Sequence, residues 1–489
     1  MAAMALPRSS AGPADRQRAL AHYLAKATGA ETVEISRIAL LAGGAIQENW
    51  AIDAEFDGGS LAGSRRLVLR CDAATGVPSS LGRVEEFAVL RAAFVAGVTV
   101  PEPLFACADV VVIGKPFFVM RRVAGSAVGR PMTLDPALES KRPAIAERLG
   151  RELARLQTVR PPRPELAFLA PFDGPRTSIA EFRAYLDRHP NPRPVLEWGL
   201  RWLEAHLPEP LPPVLCHGDF RTGNYMLQGV RLTAILDWEF AGWGDPDEDI
   251  GWLCCKGWRF GRLDREAGGI AARAHFYRGY EEESGRRLDP ERIKFWEVYA
   301  NIRWAVIALQ QSDRFLIGGA RSLSTAITGR RATECELELL VLLDGESSPQ
   351  QPSINGGGGA SSPSFRDLPT TRDLLALARE TLLDELLPLL PPERERDAHL
   401  IATVMAIAVR EAAAGGWQAE IGQALKEFFG GSGSLVRLAA DLRNGAFETS
   451  PSREKAARAI LWRLTIGKLR EGNPHFLAAN GIRTDTTGD

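Results

Sequence analysis

The sequence predicts an α+β chain in three parts: an antiparallel amino-terminal sheet with one inserted helix, a mainly helical part broken by a hairpin, and a separate all-α helical bundle. Three observations carry this. Strand-like segments alternate with Gly-containing turns up to about residue 120, and from Ile145 the apolar spacing becomes that of helices. The stretch GESSPQQPSINGGGGASSPS over 345–364 has almost nothing to bury, so it reads as a flexible linker. At 489 residues the chain also exceeds what one hydrophobic core usually organises.

Taken in order, residues 1–14 read as a disordered start and Asp15–Thr28 as a first helix. Strands follow at Thr32–Ile38, through Trp50, Ile52 and Phe56, and at Arg66–Arg70. Between the first two, Gly43 and Gly44 lack a Cβ and let the backbone approach a phosphate closely. Phe87, Leu90 and Phe94 mark a helix that stops at Gly97. Val110–Ile113 and Phe117–Met120 are expected as two further strands around Gly114-Lys-Pro116, which closes a sheet lobe over 15–120. In 121–344, Ile145, Leu149, Leu153 and Leu156 form one helical stripe, and Leu196, Leu200, Leu203 and Leu207 another. Tyr225–Leu227 and Leu232–Leu236 flank Gly229 as a hairpin, with Asp237 at its exit. Past the linker, Trp417, Ile421, Leu425 and Phe428 make the clearest stripe of a helical domain over 365–482.

Charge and cysteines exclude some classes. Lys plus Arg number 59 against 61 Asp plus Glu, a net −2, so no basic field argues for nucleic acid. Six scattered cysteines with no CxxC pair read as buried apolar residues in a reducing compartment. No apolar run approaches a membrane span, and the expectation is a cytoplasmic protein with no membrane association.

The chemistry concentrates in Cys216-His-Gly-Asp-Phe-Arg-Thr-Gly-Asn224 and the run ending at Asp237. Asp219, Asn224 and Asp237 follow one another at intervals of five and thirteen residues. Three oxygen-bearing side chains so spaced suit a site that holds Mg²⁺ on nucleotide phosphates and orients a hydroxyl. Asp245 and Asp249 stand at a turn into a helix, where Asp caps backbone N–H groups and would brace the loop. His217 reads as a packing and hydrogen-bonding residue, and Cys254-Cys255 as buried filler.

On His217-Gly-Asp-Phe-Arg-Thr-Gly-Asn224, Ile235-Leu-Asp-Trp-Glu-Phe-Ala-Gly-Trp-Gly-Asp-Pro-Asp-Glu-Asp-Ile-Gly251 and Gly43-Gly44, the sequence resembles the aminoglycoside phosphotransferase and choline kinase-like family over about residues 20–340. The resemblance implies a bilobal protein-kinase-like fold that transfers the γ-phosphoryl group of ATP to a small-molecule hydroxyl. It implies Asp219 as catalytic base, Asn224 and Asp237 as Mg²⁺ ligands, and Gly43 and Gly44 beside the phosphates. Phe118–Val123, with Met120 and Val123, would be the hinge whose backbone meets adenine. The family's third strand ends in a Lys paired with a Glu of the next helix; here Arg70 stands there, with Glu86 the favoured partner and Glu85 left open.

Within the family the Asp237–Cys254 stretch looks most like the kinase portion of acyl-CoA dehydrogenase fusion proteins, which implies a hydroxyacyl-CoA or similar anionic acceptor. Lys256-Gly-Trp-Arg-Phe-Gly-Arg262 interleaves three cations with two aromatics and suits such an acceptor. The alternatives are an aminoglycoside or macrolide kinase, and a nucleotide-binding pseudokinase acting through its C-terminal domain. Residues 365–482 offer a surface for a homodimer or a protein partner.

Overall fold

The structure, a computed structural model, describes residues 13–41, 47–73, 80–189, 191–316, 327–344, 371–413 and 416–482. The expected disordered start, save its last two residues, lies outside these, as do Gly43, Gly44 and the expected linker.

Helix α1 (Pro13–Thr28) precedes a sheet whose strands are β1 (Thr32–Leu40), β2 (Gln47–Asp57), β3 (Gly63–Asp72), β4 (Pro103–Cys107) and β5 (Phe117–Arg121). Their order is β1-β2-β3-β5-β4, every pairing antiparallel. Alternation selects the covered face: Ile52, Ala54 and Phe56 of β2 and Leu67, Leu69 and Cys71 of β3 pack with Leu20 and Leu24 of α1. Fully burying one such leucine contributes about 1.5–3 kcal/mol, so α1 is held by its apolar stripe. After β3 comes α2 (Arg83–Val95), which buries Val89, Leu90 and Ala93 and, beside them, the charged Glu86.

One expected strand is corrected. Val110–Ile113 forms a single helical turn, and the edge strand lies earlier, at β4. The Asp109 side chain accepts the Val111 N–H at 2.9 Å, and Gly114 ends the turn at φ +90°. Val111 is 84% exposed, so this β-branched run has no sheet face to cover and its caps decide.

Helices α3 (Arg142–Leu156), α4 (Pro175–Arg188), α5 (Pro194–Ala205), α6 (Glu248–Cys254) and α7 (Arg273–Ser284) follow in the chain. Two compact units result, each built from several stretches. The first comprises Met1–Gly174, Pro210–Cys254 and Trp258–Asp289; the second comprises Pro175–Glu209, Cys255–Gly257 and Pro290–Asp489.

In the first unit, α3 buries Ile145, Leu149, Leu153 and Leu156 and packs along α7. A Cβ on Gly150 would lie 2.2 Å from the Phe276 carbonyl oxygen, and one on Gly279 would lie 2.0 Å from that of Glu147. The two helices therefore meet backbone to backbone, which only glycine permits. Two short ribbons complete the unit: β6 (Val214–Cys216) with β9 (Gly242–Gly244), and β7 (Tyr225–Gln228) with β8 (Arg231–Ile235). The loop from β6 to β7 carries Asp219 and Asn224, and the loop from β8 to β9 carries Asp237.

The second unit is helical. It contains α4, α5, α8 (Pro290–Leu316), α9 (Ala332–Asp344) and the C-terminal helices α10 (Thr371–Glu380), α11 (Pro392–Ala413), α12 (Trp417–Phe429), α13 (Leu435–Arg443), α14 (Pro451–Gly472) and α15 (Pro474–Ala479). Helix α13 buries Leu438 and Leu442 and packs on α5, while α14 packs on α9 and α12. Helix α9 buries three carboxylates, each with a partner. Glu334 meets Arg331 at 3.1 Å and Asn473 at 3.0 Å; Glu336 meets Arg193 at 2.9 Å and Lys468 at 3.7 Å; Glu338 meets Lys256. Pairing of this kind is what buried charge requires. Among the described residues, no single helix is long and apolar enough to cross a membrane.

Candidate active site

The β6–β7 loop turns at Gly218, where φ is +74° and a Cβ would lie 2.1 Å from the Phe240 carbonyl oxygen. Asp249, in the first turn of α6, accepts the backbone N–H groups of His217 at 2.6 Å and Gly218 at 3.0 Å. The brace expected of this Asp is thus present. The buried His217 ring donates from Nε2 to the Leu236 carbonyl (2.9 Å), accepts the Asp219 N–H at Nδ1 (3.2 Å), and packs 4.5 Å from the Trp238 ring. One ring therefore ties the Asp219 turn to the strand end that carries Asp237.

Asn224 makes a second tie. Its Nδ2 donates to the Asp219 carboxylate (2.6 Å) and carbonyl (3.0 Å), while its own carbonyl accepts the Leu236 N–H (2.7 Å). Asp219 accepts two more donors. Trp252 Nε1 on α6 reaches it at 2.7 Å, and Arg221 Nε spans both carboxylate oxygens at 2.9 and 3.0 Å. The Arg221 guanidinium lies 4.5 Å over the Trp258 ring, a cation held on an aromatic face.

Asp237 has φ +70°, unusual for a residue with a side chain. Arg70, buried at the centre of the sheet lobe, places Nε 3.0 Å from Glu86 and Nη2 2.5 Å from Asp237, with Glu239 at 3.8 Å. Burial opposes ionisation of Asp237, but Arg70 beside it, helped by Arg221 and His217, holds its carboxyl below the usual range. Glu239 goes the other way: burial and the neighbouring Asp237 push its carboxyl up. Its carboxylate accepts Ser80 Oγ at 2.6 Å and Gln47 Nε2 at 2.8 Å, and its carbonyl accepts the Leu81 N–H at 2.8 Å. Arg83, wholly buried, pairs with Glu86 and lies 2.9 Å from Asp72. The partner of Arg70 is Glu86, because Glu85 is spent on the Gly82 N–H (2.9 Å).

This arrangement can be set beside known proteins. The model of the phosphotransferase enzyme family matches residues 37–291, more than half of the chain. The chain belongs to this phosphotransferase family. It is 31% identical over 293 residues to acyl-CoA dehydrogenase family member 10 of Mus musculus, covering 56% of this chain and 27% of that protein. It is 33% identical over 183 residues to acyl-CoA dehydrogenase family member 11 of Gallus gallus, covering 34% of this chain and 22% of that protein. The matches span about a quarter of the length of these relatives. A Ralstonia eutropha crystal structure assigned to the aminoglycoside phosphotransferases has a TM-score of 0.54 at 22% identity, covering 65% of this chain and 95% of that one. That likeness is one of fold, and the protein-kinase-like architecture expected from the sequence is present.

The donor set at this site fits Mg²⁺. Because Nδ2 of Asn224 faces Asp219, its Oδ1 is turned away, and the Asp237 side chain is 30% exposed. These are two hard oxygen donors, and Mg²⁺ typically takes one or two protein ligands and completes its shell with phosphates and water. Of the other expected site residues, Met120 lies in β5 opposite Val68 and Pro103, and Val123 follows two residues past the strand. Gly43 and Gly44 lie outside the described residues.

The cations of 256–262 do not form an acceptor surface. Arg259 is buried and donates to the Leu263 carbonyl at 2.8 Å and the Cys254 carbonyl at 2.7 Å; Arg262 pairs with Asp264 at 2.8 Å; Lys256 pairs with Glu338. Each is engaged by the scaffold. Sequence reasoning missed Arg83, Glu239, Arg221 and Trp252 as members of the cluster. Helical spacing is the signal that could have found two of them: Arg83 stands three residues before Glu86, and Trp252 three after Asp249, each pair on one helix face.

Proposed function

We propose that the protein is an ATP- and Mg²⁺-dependent small-molecule kinase that transfers the γ-phosphoryl group to a hydroxyl. One observation carries the reading: Asn224 bonds both to Asp219 and to the strand end at Leu236, which sets a proton acceptor beside a pair of metal donors. Asp219 accepts the hydroxyl proton, taking it in place of the Arg221 hydrogen bond that now covers its carboxylate. Asn224 Oδ1 and the Asp237 carboxylate would hold Mg²⁺, which would supply positive charge to offset that of the phosphates. Arg70, anchored by Glu86, turns its other nitrogens toward the phosphates once Asp237 is engaged. Met120 and Val123 offer backbone groups to adenine.

For the acceptor, the proposal is a hydroxyacyl-CoA or a similar anionic metabolite. The kinship with acyl-CoA dehydrogenase family members supports this, as does Arg221, a cation on an aromatic beside Asp219. ADP release with hydroxyacyl-CoAs, amino alcohols and antibiotics as acceptors tests it; release with aminoglycosides or macrolides alone would make this an antibiotic kinase instead. Asp219→Asn should lower transfer by roughly 10²–10⁴-fold while a Mg²⁺-dependent thermal shift with ATP persists. Full transfer by that variant would remove Asp219 from the mechanism.

A further inference from the structure

We propose that α15, the last of the described helices, is a positioning element for the face of the site that carries Trp252 and Trp258, and that it acts by gripping residues 255–257. The inference rests on the phosphoryl-transfer reading above and gives the C-terminal segment a part in it.

The path of the chain suggests the role. Residues up to Cys254 belong to the first unit, Cys255–Gly257 belong to the second, and the chain returns to the first at Trp258. All three residues of this excursion are held. Buried Cys255 donates its thiol to Asn301 Oδ1 at 3.4 Å, and that carboxamide is itself fixed by donation to the Glu297 carbonyl at 2.8 Å. A Cβ on Gly257 would stand 3.1 Å from the indole nitrogen of Trp304, so the missing side chain lets the backbone lie against α8. Lys256, with a side chain only 14% exposed, pairs with Glu338 and donates to Asn480 Oδ1 at 2.9 Å.

Asn480 directly follows α15, and its Nδ2 donates to the Phe476 carbonyl at 2.7 Å, which leaves its oxygen aimed at Lys256. An ammonium largely withdrawn from water needs its partners. Without α15 that of Lys256 would keep Glu338 alone.

The gripped triplet sits in sequence between two aromatics of the site. Trp252, three residues before Cys255, donates to Asp219; Trp258, next after Gly257, supports Arg221, which spans the same carboxylate. The two indoles lie 5.2 Å apart. One residue spans at most about 3.6 Å of chain, so a shift of the triplet reaches both rings with little slack to absorb it.

The test uses the full-length protein with Asn480→Ala, which deletes the acceptor, and Asn480→Asp, which keeps an oxygen there. In Asn480→Ala, amide hydrogen exchange over 250–262 should quicken roughly tenfold, the loss expected of one hydrogen bond to a charged group. Amides of β2 and β3 should stay at wild-type values. The kcat for transfer should fall roughly tenfold with the nucleotide KM unchanged, below the ~10²-fold that a 1 Å misplacement can cost. Asn480→Asp should restore both. Wild-type exchange over 250–262 in Asn480→Ala overturns the inference, as does faster exchange with unchanged kcat. Faster exchange in a protein whose wild type transfers phosphate to nothing keeps the grip and overturns the transfer reading instead.

Discussion

Replacing Asp249 by alanine should loosen the catalytic loop by an amount its hydrogen bonds set. The carboxylate is 1% exposed and accepts two backbone N–H groups, from His217 at 2.6 Å and Gly218 at 3.0 Å. A hydrogen bond to a charged group contributes about 1.5–3 kcal/mol, and a buried donor left without an acceptor costs about 1–3 kcal/mol. Two such donors put the loss at roughly 3–6 kcal/mol, a large share of the 5–15 kcal/mol typical of a folded protein. Asp249→Asn keeps one oxygen but turns an NH₂ toward the second donor, so it should lose about half as much. Denaturant unfolding followed by circular dichroism gives the stability, and ADP release at a denaturant-free reference gives the activity. A loop released at Gly218 also displaces Asp219, so kcat should drop roughly 10²-fold in the alanine variant. An Asp249→Ala protein within about 0.5 kcal/mol of wild type, or with undiminished kcat, would refute the assignment of this residue as the brace.

Two further substitutions probe particular contacts. Gly218→Ala places a Cβ 2.1 Å from the Phe240 oxygen at φ +74°, so it should unfold at lower denaturant and lose transfer. Gly229→Ala, with nothing within 4 Å, meets no such clash and is the control; equal losses in both would refute the steric account. For Lys468, burial pushes the ammonium down to about 8 from the ordinary 10.5, with Glu336 only partly opposing it. Between those values the unfolded chain holds more protons than the folded one, so stability rises with pH across the window, by up to about 3 kcal/mol. Lys468→Met should abolish that rise, and a wild-type-minus-variant difference that stays flat from pH 8 to 10.5 would sink the prediction.

The parts legible in the sequence were those with local causes. Asp219, Asn224 and Asp237 lie on the loops either side of a hairpin that Gly229 already located, and their spacing together with the family resemblance marked them as one set. Glu86 was favoured by its place before Phe87 but Glu85 stayed open, and the structure decides by giving Glu85 to the Gly82 N–H. What escaped depends on distance along the chain. Glu239 meets Gln47 and Ser80 across most of the first unit, and Trp252 finds Asp219 from another element. Val110–Ile113 misled because β-branched residues favour strands, while the Asp109 and Gly114 caps outweighed that preference. On α9, Glu334, Glu336 and Glu338 are buried because cations from elsewhere in the second unit reach them, a pairing that no local pattern announces.

Asp237 holds a left-handed backbone, a conformation that costs a side-chain-bearing residue about 1 kcal/mol and glycine almost nothing. Arg70 requires a carboxylate at the same position. The main chain and the charge thus ask for different amino acids, and only one of them can be seated. Sequence optimisation guided by folding alone would favour the residue that relaxes the turn and would erase the group that Arg70 grips. Position 237 is a place where thermal hardiness and chemical competence pull a protein engineer in opposite directions.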